Sequence, residues 1–283
     1  MVSQVVEPGA IRRTRAIKDA LTYLTLAITG LIAAGPIVYL VATSLKQTYT
    51  RTVDLSVLWN PSLVNYYNVW FVHPFRQWMI NSLIVAAIVT VSILFLDSLA
   101  GYAFAKKRFR GREAFFLVLL STLMVPLPVT LLPTFLLANR LGLIDTYQAL
   151  ILPGLAYPVG VFMMRQFIES LPSDLENAAR LDGCSEFQIF RRVILPLMKP
   201  GLVVLGVFTF MTQWTSYLWP LVISTREDML TLTVGVQSLR SLFTVNWGVL
   251  SAGAVLSLLP LILVFLFLQR YFIAGSIAGA LKE

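Results

Sequence analysis

The stretch LPSDLENAARLDGCSEFQIFRRVILP, residues 171–196, decides the fold. It is too charged to cross a bilayer, yet it is punctuated like a folded element rather than a linker. Ser173 followed by Glu176 predicts a capping box, with the hydroxyl accepting an orphan backbone N–H and the carboxylate reaching back. Gly183 then predicts the end of that short helix, because glycine enters a left-handed C-cap without steric penalty. Ser185 with Gln188 repeats the start signal for a second helix, which must end near Pro196. Helix, glycine, helix is a unit that needs something to pack on.

The rest of the chain supplies very different material. Of its 283 residues, 57% are hydrophobic and 13% charged, with a mean hydropathy of +0.77. A soluble domain carries about 25% charged residues. Several runs without charge approach or exceed the ~20 residues needed to span a bilayer, so the composition predicts an all-α integral membrane protein. Cys184 is the single cysteine and His73 the single histidine, which excludes a disulfide, a thiolate metal cluster, a His-based zinc site and a His-centred triad. No Gly-x-x-x-x-Gly-Lys run is present, so the chain has no phosphate loop of its own. Nucleotide hydrolysis, if coupled to this chain, belongs to another polypeptide.

Six spans are predicted at about 20–45, 79–104, 114–139, 146–164, 201–225 and 249–269, with residues 1–19 as a polar cytoplasmic segment. A signal peptide is the competing reading of the first span, but the apolar run is too long for one. Between the first two spans, Lys46–Arg76 reads as an extramembrane loop with interfacial aromatics, among them Trp59 and Trp70. Of the 22 Lys and Arg residues, the loops on one side hold only Lys46, Arg51, Arg76, Arg140, Arg226 and Arg240, and the other 16 fall on the side of the amino terminus and the 171–196 loop. The positive-inside rule therefore predicts that both termini and that loop are cytoplasmic. The net charge of +8 lies in these flanking blocks and calls for no nucleic-acid partner.

Pro126, Pro128, Pro133, Pro153 and Pro158 fall in the third and fourth spans and predict breaks, which survive in a membrane where they face protein or a wet cavity. Asp97 is the one charge well inside a span, late enough in the second to reach cytoplasmic water or Lys106. Leu175, Ala178, Ala179 and Asp182 recur at helical spacing on one face of the short helix, and Glu176 precedes Arg180 by one turn in the favourable order. Two alanines let another surface approach closely. From the residues alone this helix either docks a partner or lies between two spans.

Asn177-Ala178-Ala179, Gly183 and Val193-Ile194-Leu195-Pro196 resemble the cytoplasmic "EAA" loop of the membrane-spanning subunits of bacterial ATP-binding-cassette importers. Asn177 stands where that motif has glutamate, with Glu176 one residue earlier. Trp78–Leu83, Ala100–Ala105, Leu141-Gly142-Leu143, Trp219-Pro220-Leu221 and the tail Gly275–Glu283 look like the carbohydrate-uptake group, and more like the smaller six-span subunit of maltose-type transporters. The resemblance implies a type I importer fold and a coupling role for Glu176, Asn177, Ala178, Ala179, Arg180, Asp182, Gly183, Leu195 and Pro196. It also implies a second permease subunit, two copies of an ATPase subunit that hold ATP and magnesium, and an extracytoplasmic substrate-binding protein, all at the inner membrane. This chain would bind no cofactor and catalyse no reaction; it would pass a sugar or related polyol by alternating access. Gln213, Trp214, Tyr217 and Trp219 are polar or aromatic groups suited to a sugar face and its hydroxyls, although such aromatics also mark membrane interfaces. An ion-gradient-driven carrier is the competing function. It predicts more intramembrane carboxylates than Asp97 and needs no docking loop.

Overall fold

A computed structural model describes residues 8–46, 60–240 and 245–280, with side chains from 18 to 267 within those ranges. Arg51, Trp59 and the last three residues of the tail lie outside the described residues. The described residues form helices joined by short turns, with no strand. In chain order the helices are α1 Pro8–Ser44, α2 Val64–Tyr67, α3 Phe75–Lys106, α4 Arg112–Ser121, α5 Leu127–Arg140, α6 Tyr147–Ile151 and α7 Pro158–Glu169. There follow α8 Asp174–Leu181, α9 Glu186–Ile189, α10 Leu195–Leu197, α11 Lys199–Trp214, α12 Leu218–Ile223, α13 Leu232–Ser238 and α14 Trp247–Ala280.

Three of these are long and apolar enough to cross a bilayer unaided: Lys18–Ser44, Phe75–Lys106 and Trp247–Phe267. Three bent pairs bring the total to six if each pair is one crossing. Over 114–139 the chain forms two helices at 96°, not one. A residue before proline is pushed out of the helical region. Val125, before Pro126, is accordingly extended at φ −86°, ψ 114°, and the 3-10 turn Thr122–Met124 that continues α4 stops there. Tyr157, before Pro158, is extended in the same way and sets a 42° bend between 147–154 and α7. Ahead of Pro196 the helix widens into a π turn, Phe190–Ile194, and the axis then turns by 79° into α11. The helix predicted to run through 225 ends at Trp214, with α12 as a separate piece. There Thr215 Oγ1 bonds back to the Met211 carbonyl, a local bond that competes with helix continuation.

The middle of the bundle is α3, with α7 and α11 packed along it. Gly101 allows α7 to come close: a Cβ at that position would lie 2.7 Å from Met164 Cβ and 2.9 Å from the Arg165 backbone nitrogen. Val89, Ile93, Met164, Ile168, Ile189, Ile194 and Leu205 form one apolar core. A second forms around Trp78, Trp214 and Leu232 at the other end of α3. That end carries a polar clamp as well. Asn81 is fully buried; its amide donates to the carbonyls of Asp228 and Leu230 at 2.8 Å each, and its oxygen accepts from Tyr147 Oη at 2.6 Å and Gln77 Nε2 at 2.9 Å. Trp78 Nε1 donates to the Glu227 carbonyl, and Ser82 Oγ accepts from the Leu232 N–H. Every hydrogen-bonding position of Asn81 is used, as a buried amide requires.

Asp97 is 1% exposed and does not meet Lys106. Both of its carboxylate oxygens accept the Tyr157 N–H, at 3.2 and 3.3 Å. It thus satisfies an orphan donor at the start of α7, one turn from Gly160, where an added Cβ would lie 2.2 Å from Asp97 Oδ2. A structural carboxylate on a helix start explains a charge at this depth without an ion pathway.

Candidate functional site: the 171–196 loop

The loop begins where α7 ends. Ser173 does not cap α8: its backbone is already helical at φ −70°, ψ −16°, and its side chain accepts no backbone N–H. Its hydroxyl lies 3.2 Å from Lys106 Nζ instead, while the same ammonium donates to the Leu171 carbonyl at 2.6 Å. The predicted partner of Ser173, Glu176, turns inward and is 2% exposed. One of its oxygens pairs with Lys106 at 3.7 Å; the other meets Arg180 at 3.2 Å and Tyr102 Oη at 3.3 Å. A lysine from the neighbouring helix has displaced both halves of the local cap.

The other two signals are present as read. Gly183 has φ +80°; its N–H bonds the Arg180 carbonyl and the Cys184 N–H bonds that of Ala179, both at 3.0 Å. That pair of bonds is the Schellman closure, and Cys184 packs beside it as a small apolar residue. Ser185 and Gln188 form a complete capping box at the start of α9. An added Cβ at Gly183 meets nothing within 4 Å, so backbone strain alone opposes substitution there. Gly183→Val is expected to lower loop stability by roughly 1–2 kcal/mol, the cost of left-handed backbone in an L-residue, and Gly183→Asn by much less. Hydrogen exchange of residues 174–189 checks this; equal exchange in the two variants would contradict it.

Around this frame the charges form a network. Glu186 accepts from Arg180 Nε at 3.0 Å and pairs with Lys107, whose ammonium also lies 4.5 Å from the centre of the Tyr102 ring. Asn177 is exposed and accepts from Arg180 Nη1 at 3.0 Å. Asn177 has no carboxylate, and Arg180 finds its carboxylate partners at Glu176 and Glu186 instead. The Arg180 hydrogen bond, then that of Lys107, holds the Glu186 carboxyl down at about 2. A depressed carboxylate stabilises the fold above its unfolded value of 4.5, and that contribution fades as the pH falls from 4.5 toward 2. Protease resistance of the loop is therefore expected to be flat above pH 5 and to decline below about 4.5, and Glu186→Gln to remove that part of the decline. An unchanged profile in Glu186→Gln would contradict the assignment.

With Glu176 and Ala179 turned inward, α8 presents Leu175, Ala178, Leu181 and Asp182 outward. Ala179 thus leaves the face predicted for it, and Leu181, 90% exposed, joins that face. Leu195 and Pro196 lie beyond the π turn; Leu195 is half-buried against the core and Pro196 is exposed. The four aromatic and amide candidates of the fifth span stand apart from this loop. Trp214 is 2% exposed and donates its indole N–H to the Ser257 carbonyl at 3.1 Å; Trp219 donates to Ala149 at 2.9 Å. Both are tied into this chain's own core, whereas Gln213 is half-buried and Tyr217 exposed.

The pattern of binding-protein-dependent transport system inner membrane components matches residues 97–275. An arabinooligosaccharides transport system permease protein of Halalkalibacterium halodurans is 36% identical over 278 residues, covering 96% of this chain and 99% of that protein. The chain belongs to this family of transport permeases. A lactose transport system permease protein of Rhizobium radiobacter is 32% identical to the permease, over 95% of it and 98% of the relative. Among solved structures, a bacterial ABC transporter involved in the import of the acidic polysaccharide alginate contains a chain that superposes with a TM-score of 0.78 at 25% identity, covering 92% of the permease and 98% of that chain. The permease therefore has the type I ABC importer fold of a multi-pass inner-membrane protein and serves in binding-protein-dependent import.

Proposed function

We propose that the permease moves a sugar or small oligosaccharide into the cytoplasm, driven by ATPase subunits that dock on α8. The observation that carries the docking assignment is the outward apolar face of α8, Leu175, Ala178 and Leu181, on a helix fastened by a buried carboxylate to the end of α3. The Lys and Arg count supports a cytoplasmic position for this loop and both termini. The assembly comprises a second permease subunit, two copies of an ABC ATPase that hold ATP and magnesium, and an extracytoplasmic substrate-binding protein; the permease itself holds no cofactor. Glu176, Arg180 and Gly183 position the docking helix, Asn177 and Asp182 flank the contact that Ala178 joins, and Leu195-Pro196 set the turn into α11. ATPase closure would favour one of two rocked arrangements of the permease pair, which is what shifts the population between the two access states. The names of the relatives support a sugar cargo. Gln213 and Tyr217 are the path contacts of choice, with Trp214 and Trp219 holding the surrounding wall.

Leu181→Asp tests the docking assignment. Burying a leucine is worth about 1.5–3 kcal/mol, so the variant is expected to lower ATPase co-purification at least about tenfold. Because Leu181 touches water already, insertion and melting of the permease should be unchanged. Undiminished co-purification would overturn the site, and failure of any ATPase to co-purify with the wild type would overturn the proposed assembly.

A further inference from the structure

A second site lies at the opposite end of α3 from Lys106. Between the last turns of α1, helix α13 and the first turns of α14 there is an open cavity of about 530 Å³. Leu40 and Leu250 contribute an apolar floor, and Gln237, Arg240, Trp247 and Ser251 contribute polar groups. Its depth is fixed by the elements around it. α13 is packed on Trp78 near the start of α3, and the cavity takes its walls from the end of one span and the beginning of another. It therefore stands at a membrane–water boundary.

Three of these polar groups, on Gln237, Arg240 and Ser251, stand open to the cavity. Among the described residues, the Arg240 guanidinium has no carboxylate partner and lies 5.9 Å from the Trp247 ring. Neither the Gln237 side-chain amide nor the Ser251 hydroxyl has a hydrogen bond among the described residues, and Ser251 is 6% exposed. The Ser251 hydroxyl faces the cavity, so water or a bound molecule completes it. The molecule that fits must bring an anionic oxygen cluster for Arg240, acceptors for Gln237 and Ser251, and apolar length for the floor.

We propose that this cavity binds an anionic glycerophospholipid of the leaflet opposite the coupling loop, with its phosphate on Arg240 and an acyl chain along Leu40 and Leu250. Arginine suits phosphate through its planar fork of donors. A zwitterionic lipid would place an ammonium here as well, and among the described residues no carboxylate lines the cavity to receive it. A lipid held between α1, α13 and α14 would tie the first and last spans together.

The test uses the assembled transporter purified in detergent and examined by native mass spectrometry after exposure to phosphatidylglycerol or phosphatidylcholine with the same acyl chains. Wild type is expected to retain phosphatidylglycerol in preference. Arg240→Gln should reduce retention about tenfold, Arg240→Lys should keep most of it, and Arg226→Gln, at an arginine already paired with Asp228, should leave it unchanged. Equal retention of the two lipids, or undiminished phosphatidylglycerol in Arg240→Gln, would overturn the proposal. Displacement of the lipid by inorganic phosphate alone would reduce the cavity to an anion site and overturn it too. So would photocrosslinking from position 250 to the second permease subunit instead of lipid.

Discussion

Glu176→Ala is expected to release the 174–194 loop from the end of α3 and to cost about 3–5 kcal/mol, the range for removing one partner of a buried ion pair. Lys106, whose side chain is 9% exposed beside a carboxylate 3% exposed, would keep its charge with only the Leu171 carbonyl and Ser173 hydroxyl as partners. Tyr102 and Arg180 would each lose an acceptor as well. Desolvation makes the effect large: an exposed pair of the same geometry is worth no more than about 1 kcal/mol. Thermal unfolding of the purified permease measures it, and Lys106→Met in the Glu176→Ala background should recover part of the loss by removing the stranded cation. A loss below about 1 kcal/mol in the single variant would show that the pair is solvated and the loop held by other means.

Gly101→Leu is expected to separate α3 from α7. Its Cβ alone would lie 2.7 Å from Met164 Cβ and 2.9 Å from a backbone nitrogen, and backbone cannot swing aside as a flexible side chain does. Overpacking of a closed core costs about 1–3 kcal/mol and sometimes more. Here the displaced helix also carries Arg165, which is stacked 4.0 Å over Phe116 and paired with Glu113 and Glu169. Gly101→Ala should show the same effect at smaller size. The comparison with Gly183 is informative, because that glycine is needed for its backbone angle and this one for its missing side chain. Wild-type melting in Gly101→Leu would disprove the close packing.

These two sites also show what the sequence discloses and what it hides. Gly183 and the Ser185–Gln188 pair were legible because their partners lie within a few residues, as with any cap. The breaks at Pro126 and Pro158 were legible as breaks, since proline restricts the residue before it, but their 96° and 42° angles depend on packing. Ser173 misled because a cap competes with tertiary partners. Lys106, 67 residues earlier, took its hydroxyl, and with it the carboxylate that would have completed the box. Ala179 and Leu181 exchanged places on the outward face for the same reason: burying Glu176 rotates α8. Tyr102 and Lys107, both in the loop's network, carried no local signal of that role. Trp214 and Trp219 are candidates for a sugar path by residue type, and type does not tell that their indole N–H groups bond the Ser257 and Ala149 carbonyls.

The Asn81 clamp at one end of α3 has a mechanical consequence. With Asp228, Leu230 and Tyr147 fastened to its first turns and the 171–196 loop fastened to its last, α3 is held at both extremities. A helix of 32 residues is about 48 Å long. Tilting it by about 5° around its midpoint moves each tip by about 2 Å, in opposite directions. Motion delivered to Lys106 would therefore arrive at residues 227–232, held at Trp78–Ser82, as a stroke of opposite sense and about half to three-quarters the size, without unfolding or sliding any segment between them.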